Sequence, residues 1–275
     1  MKISVALCTY NGEKYIAEQL QSILDQTRLP DEIIICDDNS SDRTLDITKD
    51  VLEKNVFRNY KIEINNPPKK TIKNFEKAIM MCTGDWIFLS DQDDVWDKNK
   101  VEKLLGCIRK KTLLLFTNGH LIDESGNKIH STLWDRWDFT VQQRERWINN
   151  KLAFQDLLQN RNYVTGATVL LSRKLLKQAI PITVPDGHYH DAWFAMHAAA
   201  KNGLHFLDDS TISYRIHPQQ QVGISKSGKN TESVFSSENI PVHVFRDKIL
   251  RQYRINWFQK KKNTLKKIIK HLLKR

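Results

Sequence analysis

Short apolar runs alternate with amphipathic patterns over the first 118 residues, and this alternation limits the folds open to the chain. Five runs read as strands: residues 3–8, 32–36, 60–64, 86–90 and 113–118. Four segments between them have the apolar period of a helix face: residues 13–26, 42–52, 72–81 and 97–110. Strands that alternate with helices form βαβ units with a largely parallel sheet. The pattern therefore predicts an α/β fold with a Rossmann-like, mostly parallel sheet flanked by helices.

The second half of the chain is less regular. Its helical patterns cover residues 141–158, 174–179 and 191–202, and its strand patterns cover residues 164–172, 204–207 and 211–217. Residues 218–239 are rich in Gln, Ser, Lys and Gly and read as a mobile loop. We expect one domain over residues 1–240, with halves at 1–118 and 119–240, and a separate tail at 241–275.

Three polar clusters directly follow predicted strands. Thr9, Tyr10 and Asn11 follow the first strand, Asp37 and Asp38 follow the second, and residues 91–94 (DQDD) follow the fourth. Parallel α/β sheets bind ligands beyond the carboxyl ends of their strands, so these clusters are expected to converge. A carboxylate there can accept the imino hydrogen of a uracil or thymine ring, and Tyr10 can cover the base. A turn or helix N-cap is the plainer interpretation of Asp37 and Asp38 taken alone.

The acidic cluster at residues 91–94 indicates a cation site. Asp91, Asp93 and Asp94 lie within four positions, where like charges repel one another. Asp91 and Asp93 are two residues apart, which places both on one side of an extended segment. A Mg²⁺ or Mn²⁺ ion with oxygen ligands can offset this repulsion and bridge a diphosphate. An exposed acidic turn is the alternative.

The net charge of +11 is confined to the end of the chain. Residues 246–275 contain twelve Lys and Arg side chains and one acid, so the body of the chain is neutral. A basic groove for nucleic acid is therefore not expected on the main domain. Leu265, Ile268, Ile269, Leu272 and Leu273 recur at helical spacing between lysines. This basic amphipathic helix is the form expected to lie on an anionic membrane surface, although it could instead bind a partner or pack on its own domain.

The remaining composition favours a cytoplasmic protein. The four cysteines are far apart in sequence and read as reduced, buried thiols. We expect no secretory signal, because the first strand follows the start directly, and no apolar run reaches the roughly 18 residues that span a bilayer. With the basic tail, this predicts a location on the inner face of the plasma membrane.

The ordered motifs resemble those of a known family. The segments SVALCTYN (residues 4–11), SILDQTRLPDEIIICDDNSSDRT (22–44) and GDWIFLSDQDDVW (84–96) are similar to family 2 glycosyltransferases of the GT-A fold. The segments GAT (166–168), HDAW (190–193) and YRIH (214–217) resemble its rhamnosyltransferase and hexosyltransferase branch. The resemblance covers about residues 1–217 and leaves the tail out.

The resemblance implies roles for individual residues. Asp38 would contact the nucleobase with support from Asp37, and Asp91 and Asp93 would form the DxD pair, with Asp93 the direct metal ligand. Asp191 would be the catalytic base that takes the proton of the acceptor hydroxyl. His190 stands where many relatives carry an acid. The rest of the implied donor and acceptor pocket comprises Asp94, Trp96, Gly166 and Trp193.

Several of these residues have a plainer interpretation. Asp191 could be only a helix N-cap. His217 could complete the metal shell and Arg215 could pair with phosphate, or both could be ordinary surface side chains. Trp134, Trp137 and Trp147 could stack on an acceptor sugar, although core packing is the commoner use of such residues.

The function expected from the motifs is inverting, Mn²⁺- or Mg²⁺-dependent transfer of rhamnose or a hexose. The donor would be a dTDP- or UDP-sugar and the acceptor a polyprenyl-linked saccharide of polysaccharide or O-antigen assembly. A sugar-phosphate nucleotidyltransferase is one alternative, but the first loop lacks a Gly-rich phosphate cradle. A dehydrogenase is disfavoured because no GxGxxG follows the first strand. A non-catalytic, membrane-surface carbohydrate-binding protein is the remaining alternative.

Overall fold

The structure is a computed structural model that describes residues 1–220 and 240–253. Its strands are β1 (Ile3–Thr9), β2 (Glu32–Asp37), β3 (Tyr60–Ile64), β4 (Trp86–Ser90), β5 (Val95–Trp96), β6 (Leu114–Ile122), β7 (Lys128–Thr132), β8 (Leu170–Ser172) and β9 (Leu204–Arg215). Its α-helices are α1 (Ile16–Leu24), α2 (Thr44–Lys54), α3 (Lys70–Met81), α4 (Lys100–Gly106), α5 (Leu133–Arg136), α6 (Val141–Ile148), α7 (Asn150–Leu158), α8 (Arg173–Ala179), α9 (His190–Ala200) and α10 (Val242–Gln252).

The strands form one mixed sheet in the order β3-β2-β1-β4-β8-β6-β9-β5, with β7 paired to β6. The first four strands are mutually parallel, as the sequence predicts. Strand β8 is antiparallel to both β4 and β6, and it joins them to the parallel pair of β6 and β9. The predicted α/β fold is confirmed.

The central strands are apolar because both of their faces are covered. Every residue of β1, β2 and β4 is buried, which is the pattern of a parallel sheet between helix layers. The register pairs Thr9 with Asp37 and Leu7 with Ser90, so the three strands end at one edge of the sheet. The loops that carry the three polar clusters therefore leave the sheet side by side.

Three predicted elements of the second half differ in the structure. Residues 141–158 form two helices, because the side chain of Asn149 caps α7 by accepting a hydrogen bond from the Lys151 N–H (3.1 Å). Residues 166–168 form a 3₁₀ turn before β8, in which the Thr168 hydroxyl bonds the Thr165 carbonyl (2.7 Å). The two strands predicted at 204–217 are one strand, whose register shifts opposite Asn118.

The other helix and strand predictions hold to within a few residues at their ends, while β5, β7 and α5 were not predicted. Trp134 and Trp147 are 4% and 1% exposed, which confirms the prediction of core packing for these two side chains. Three of the four cysteines are buried and all four are free.

Helix α10 packs on α9 through Phe245, whose ring lies 6.0 Å from that of Trp193. Within residues 1–220 and 240–253, no helix has the length and apolar character needed to cross a membrane. The predicted amphipathic helix lies beyond residue 253, and most of the predicted loop at 218–239 lies in the gap. Both fall outside the described residues. The domain boundaries stay predictions.

Candidate active site

A cavity of about 600 Å³ opens at the edge where β1, β2 and β4 end. The side chains around it come from the loops after these strands, from α3 and from the end of β9. Those that the sequence predicts for the site are Thr9, Tyr10, Asn11, Asp38, Asp91, Asp93 and His217.

The loops after β1 and β2 are held together by reciprocal hydrogen bonds. The Asn11 N–H donates to the Ser40 hydroxyl (2.9 Å), and the Asn11 side-chain oxygen accepts from the Ser41 N–H (2.8 Å). Asn11 has a φ of 46°, in the left-handed region that asparagine tolerates better than most residues. The two loops therefore form one wall of the cavity.

Asp37 and Asp38 organise this wall in different ways. Asp37 is fully buried, and its carboxylate accepts hydrogen bonds from the hydroxyls of Thr9 (2.7 Å) and Ser40 (2.6 Å) and from the Ser40 N–H (2.7 Å). This is the turn anticipated for the segment, although neither acid caps α2. Asp38 instead accepts from the N–H groups of Lys69 (2.6 Å) and Lys70 (2.8 Å) at the start of α3. The negative charge of Asp38 there is favourable to the helix.

The carboxylates of the acidic loop, residues 91–94, accept fewer hydrogen bonds than those of Asp37 and Asp38. Burial raises the pKa of Asp91 to about 7, and the neighbouring carboxylates of Asp93 and Asp191 raise it further. Burial also raises the pKa of Asp94 well above its usual value, and one oxygen of that carboxylate has no hydrogen-bond partner among the described residues. The crowding of like charges that the sequence predicts is therefore present.

His217 and Arg215 close the site from the end of β9. The His217 Nε2 lies 2.9 Å from the Asp93 Oδ2, and its ring lies 4.7 Å from that of Tyr15. The buried Arg215 guanidinium donates to the backbone oxygen of Asp93 (2.8 Å) and to the carboxylate of Glu18 (2.5 Å). Arg215 thus holds the backbone of the acidic loop. Because it does not line the cavity, its placement does not support the predicted contact with phosphate.

Asp191 lies in the first turn of α9 and does not line the cavity. Tyr189, and not Asp191, occupies the N-cap position, so the plain cap interpretation is wrong. Burial raises the pKa of Asp191 to about 6, while hydrogen bonds from the N–H groups of Ala192 and Gly166 and from Asn162 act in the opposite direction. The charge of Asp191 raises the pKa of Asp91, which shows that the two acids lie near each other.

The sequence profile of the family described as Glycosyl transferase family 2 matches residues 4–179 of the chain. The chain belongs to glycosyl transferase family 2. This glycosyltransferase is 29% identical over 232 residues to the dTDP-rhamnosyl transferase RfbG of Shigella flexneri, which covers 81% of this chain and 75% of that protein. The family match decides against the nucleotidyltransferase and the non-catalytic alternatives.

Solved structures of related enzymes share the fold. TarS 1-349 of S. aureus, in complex with UDP-GlcNAc, has a TM-score of 0.59 at 21% identity and covers 80% of this chain and 60% of that chain. The mannosyltransferase PcManGT from Pyrobaculum calidifontis, in complex with GDP-Man and Mn²⁺, has a TM-score of 0.54 at 16% identity, with 79% and 58% covered. The glycosyltransferase spans less than two thirds of either structure. Together with the family match, the likeness identifies a glycosyltransferase of GT-A fold.

Several predicted pocket residues of the glycosyltransferase lie behind the cavity and do not line it. Asp37, Asp94 and Trp96 are buried beneath the loops, and Gly166, His190 and Trp193 lie with Asp191 around the start of α9. His190 stacks on Phe75, a residue that lines the cavity, with ring centres 4.2 Å apart. Trp193 belongs to the core, where its indole donates to the Ala179 carbonyl (2.6 Å).

Gln92 lines the cavity of the glycosyltransferase but was not predicted from the sequence. Its side-chain amide accepts from the Tyr10 N–H (2.7 Å) and donates to the Tyr10 carbonyl (2.9 Å), which joins the acidic loop to the first loop. A Cβ on Gly12 would lie 2.3 Å from the Gln92 Oε1, so a larger residue there would displace the Gln92 side chain. The sequence could have indicated both residues, because Gln92 stands between the two DxD acids and Gly12 follows the Tyr10-Asn11 pair. Tyr214, the first residue of the YRIH segment, also lines the cavity, as do Lys14, Tyr15, Thr71 and Asn74, which no sequence pattern marked.

In the described part of the glycosyltransferase, no three His, Cys, Asp or Glu side chains converge closely enough to hold a metal ion by themselves. Of the predicted ligands, Asp93 and His217 lie 2.9 Å apart, measured from Oδ2 to Nε2. Carboxylates such as Asp93 fit the way Mg²⁺ is usually bound, with substrate phosphates and water as the remaining ligands. The crowded carboxylates of the acidic loop likewise suit a cation, since a positive ion would offset their repulsion.

Proposed function

We propose that this glycosyltransferase is an inverting, metal-dependent enzyme that moves rhamnose or a hexose from a dTDP- or UDP-sugar to a saccharide acceptor. The observation that carries the proposal is a cavity lined by acids from the loops after two parallel strands of the sheet, with a further acid nearby. Asp38 and Asp93 line one cavity, and Asp191 lies close enough to Asp91 to raise its pKa. The similarity to a dTDP-rhamnosyl transferase supports the donor class.

On this proposal the nucleoside lies between the first two loops. Tyr10 is 40% exposed at the cavity, where its ring can cover a base, and Asp38 faces the same space. Two oxygens of Asp38 already accept three protein hydrogen bonds, from Asn65, Lys69 and Lys70. Carboxylates have about four acceptor positions, so one remains for the imino hydrogen of uracil or thymine.

The diphosphate would lie against the acidic loop. Asp93 and His217 would hold Mn²⁺ or Mg²⁺ together with the diphosphate oxygens, and Asp91, the other acid of the DxD pair, would add its negative charge to the site. The bound metal would act as a Lewis acid that stabilises the charge of the leaving diphosphate. An Mn²⁺ ion is present in the related mannosyltransferase structure, which supports the choice of metal.

Asp191 would be the general base. It would take the proton of the acceptor hydroxyl as that oxygen bonds to the anomeric carbon. The bond from that carbon to the diphosphate oxygen breaks, and its electron pair leaves with the nucleoside diphosphate. A pKa of about 6 leaves Asp191 ionised at neutral pH and more basic than an exposed aspartate. Attack from the face opposite the leaving group would invert the anomeric configuration.

The acceptor would be a polyprenyl-linked saccharide of cell-surface polysaccharide or O-antigen assembly, met at the inner face of the plasma membrane. The support is the basic stretch at 246–275, which carries the whole net charge. Each Lys or Arg near an anionic surface contributes about 1 kcal/mol at low salt. Sedimentation with anionic vesicles, but not with neutral ones, would support this part, and equal recovery with both would exclude it.

The direct test is transfer from dTDP-rhamnose, UDP-glucose and UDP-GlcNAc to a lipid-linked saccharide, with Mn²⁺, Mg²⁺ or EDTA present. NMR of the product gives the anomeric configuration. The proposal expects transfer with inversion that EDTA abolishes and that Asp191→Asn reduces at least a hundredfold. Retention of configuration, or full activity of Asp191→Asn, would refute it.

A further inference from the structure

Lys100, at the first position of α4, is a buried cation that the proposed mechanism does not use. Its side chain is 0% exposed, and its Nζ donates to the backbone carbonyl of Ala167 (2.6 Å). The Nζ also lies 4.1 Å from the centre of the Trp96 ring, a cation–π contact. Within residues 1–220 and 240–253, Lys100 forms no ion pair at 4.0 Å or less. A lysine is an unusual choice for such a place, since burying an ammonium without a paired anion is unfavourable.

The surroundings of Lys100 explain why the site tolerates it. Burial lowers the pKa of Lys100 to about 7, while the carboxylates of Asp94, Asp97 and Asp91 act in the opposite direction. Asp94 is 1% exposed and has the unpartnered oxygen noted above. The bond to Ala167 does not depend on the charge state, because a neutral amine also donates hydrogen bonds.

The partner of Lys100 belongs to the turn that contacts Asp191. Ala167 is the middle residue of the 3₁₀ turn Gly166–Thr168. The N–H of Gly166, its neighbour, is one of the donors to the Asp191 carboxylate. Gly166 also packs directly on His190, since a Cβ at Gly166 would lie 2.9 Å from the His190 Nε2. A shift of this turn would therefore move a hydrogen-bond donor of the base and the residue beside it.

We propose that Lys100 is a positioning residue, which fixes the turn Gly166–Thr168, and through it Asp191, relative to the acidic loop. Lys100 links two segments that are 67 residues apart in sequence. One is the segment that continues from the acidic loop through Trp96 into α4, and the other is the turn that carries the donor to the base. This inference rests on the proposed role of Asp191 as the base.

The test compares Lys100→Met with Lys103→Met, three positions further along α4. Lys103 is a matched control, because its ammonium bonds the exposed Asp209 carboxylate (2.8 Å) away from the turn. Lys100→Met should lower kcat about a hundredfold and leave the KM for the donor within about twofold, because a displacement of a reacting group by about 1 Å has an effect of that size. Lys103→Met should keep the wild-type kcat.

A double variant separates positioning from simple charge compensation. Removing the ammonium leaves Asp94 as a buried acid without a compensating charge, so Lys100→Met is also expected to lower the melting temperature. Lys100→Met/Asp94→Asn removes that acid, and it should regain melting temperature relative to Lys100→Met. Its kcat should stay low relative to Asp94→Asn alone, since the bond to Ala167 is still missing. If Lys100→Met does not fold, the comparison of kcat between the double variant and Asp94→Asn still tests the proposal.

The outcomes are distinct. A low kcat with an unchanged donor KM in both Lys100 variants supports the inference. Recovery of kcat together with melting temperature in the double variant would overturn it, because Lys100 would then act only as a counter-charge. A wild-type kcat in Lys100→Met would overturn it while leaving the proposed function intact. Full activity of Asp191→Asn would refute the base assignment, and the inference with it.

Discussion

The loop after β2 and the loop after β4 both carry adjacent aspartates at the same edge of the sheet, but these acids do opposite things. Asp37 and Asp38 accept six hydrogen bonds between them from neighbouring hydroxyl, amide and N–H groups. Burial raises the pKa of both Asp91 and Asp94, the charge of Asp93 raises both further, and Asp94 has an oxygen without a partner in the described structure. The first pair is satisfied by the fold. The second pair is crowded by like charges, which a bound metal ion would offset.

Asp93→Asn tests this contrast with the largest expected effect. The variant should lose about a thousandfold in kcat, because a metal contributes several kcal/mol of stabilisation to the transition state. Its melting temperature without metal should equal or exceed that of the wild type, since one of three crowded charges is gone. Steady-state kinetics and thermal unfolding in EDTA measure both. A large fall in stability without metal would mean that the acidic loop is satisfied by the fold after all.

Asp37→Ala should show the opposite of Asp93→Asn, with its main effect on stability. It removes the acceptor of two hydroxyl groups and one N–H in a fully buried place, so the free energy of unfolding should fall by about 3 kcal/mol. Urea denaturation measures the change. A loss below about 1 kcal/mol would show that this turn does not depend on its acid.

The pH dependence of kcat reports on Asp191. Since burial raises its pKa to about 6, the base is protonated below that pH and ionised above it. The value of kcat should therefore fall about tenfold per pH unit below about pH 6 and level off above it. A pH–rate profile between pH 4.5 and pH 8 checks this. A limb centred near pH 4 would indicate an ordinary exposed acid as the base.

The smallest effect is expected at the rim of the first two loops. Asp42 accepts from the Glu13 N–H (3.0 Å) and the Thr44 N–H (3.0 Å) in a partly exposed place. Asp42→Ala should lower the free energy of unfolding by about 1 kcal/mol, the usual net contribution of a hydrogen bond. A loss close to that of Asp37→Ala would mean that the partly exposed Asp42 stabilises these loops as much as the buried Asp37 does.

The parts of the site that the sequence could predict are those set by local pattern. The apolar runs located β1, β2 and β4, and the parallel arrangement then placed Asp38 and Asp91 at one edge. Whether an acid there is satisfied depends on partners that are distant in sequence. The donors to Asp38 from Lys69 and Lys70 lie 31 and 32 residues away, and no local signal marks them.

The second half was harder to predict because its elements depend on tertiary contacts. Residues 208–210 interrupt the apolar pattern of β9, yet the strand continues through a register shift against β6. Arg215 looked like a phosphate ligand because it is a cation next to His217. Its actual partners, which include Glu18 and the Asp93 carbonyl, lie 197 and 122 residues away. Only the folded chain reveals them.

Ligand-dependent thermal unfolding tests whether the acidic loop holds a metal ion and a nucleoside diphosphate. Wild type, Asp93→Asn and the surface variant Asp209→Asn are each melted with UDP or dTDP, with and without Mn²⁺. A ligand that binds only the folded state raises the melting temperature. The account predicts a rise that needs nucleotide and Mn²⁺ together in the wild type and in Asp209→Asn, and no rise in Asp93→Asn. An equal rise in Asp93→Asn would contradict it, because the acidic loop would then have no part in holding the diphosphate.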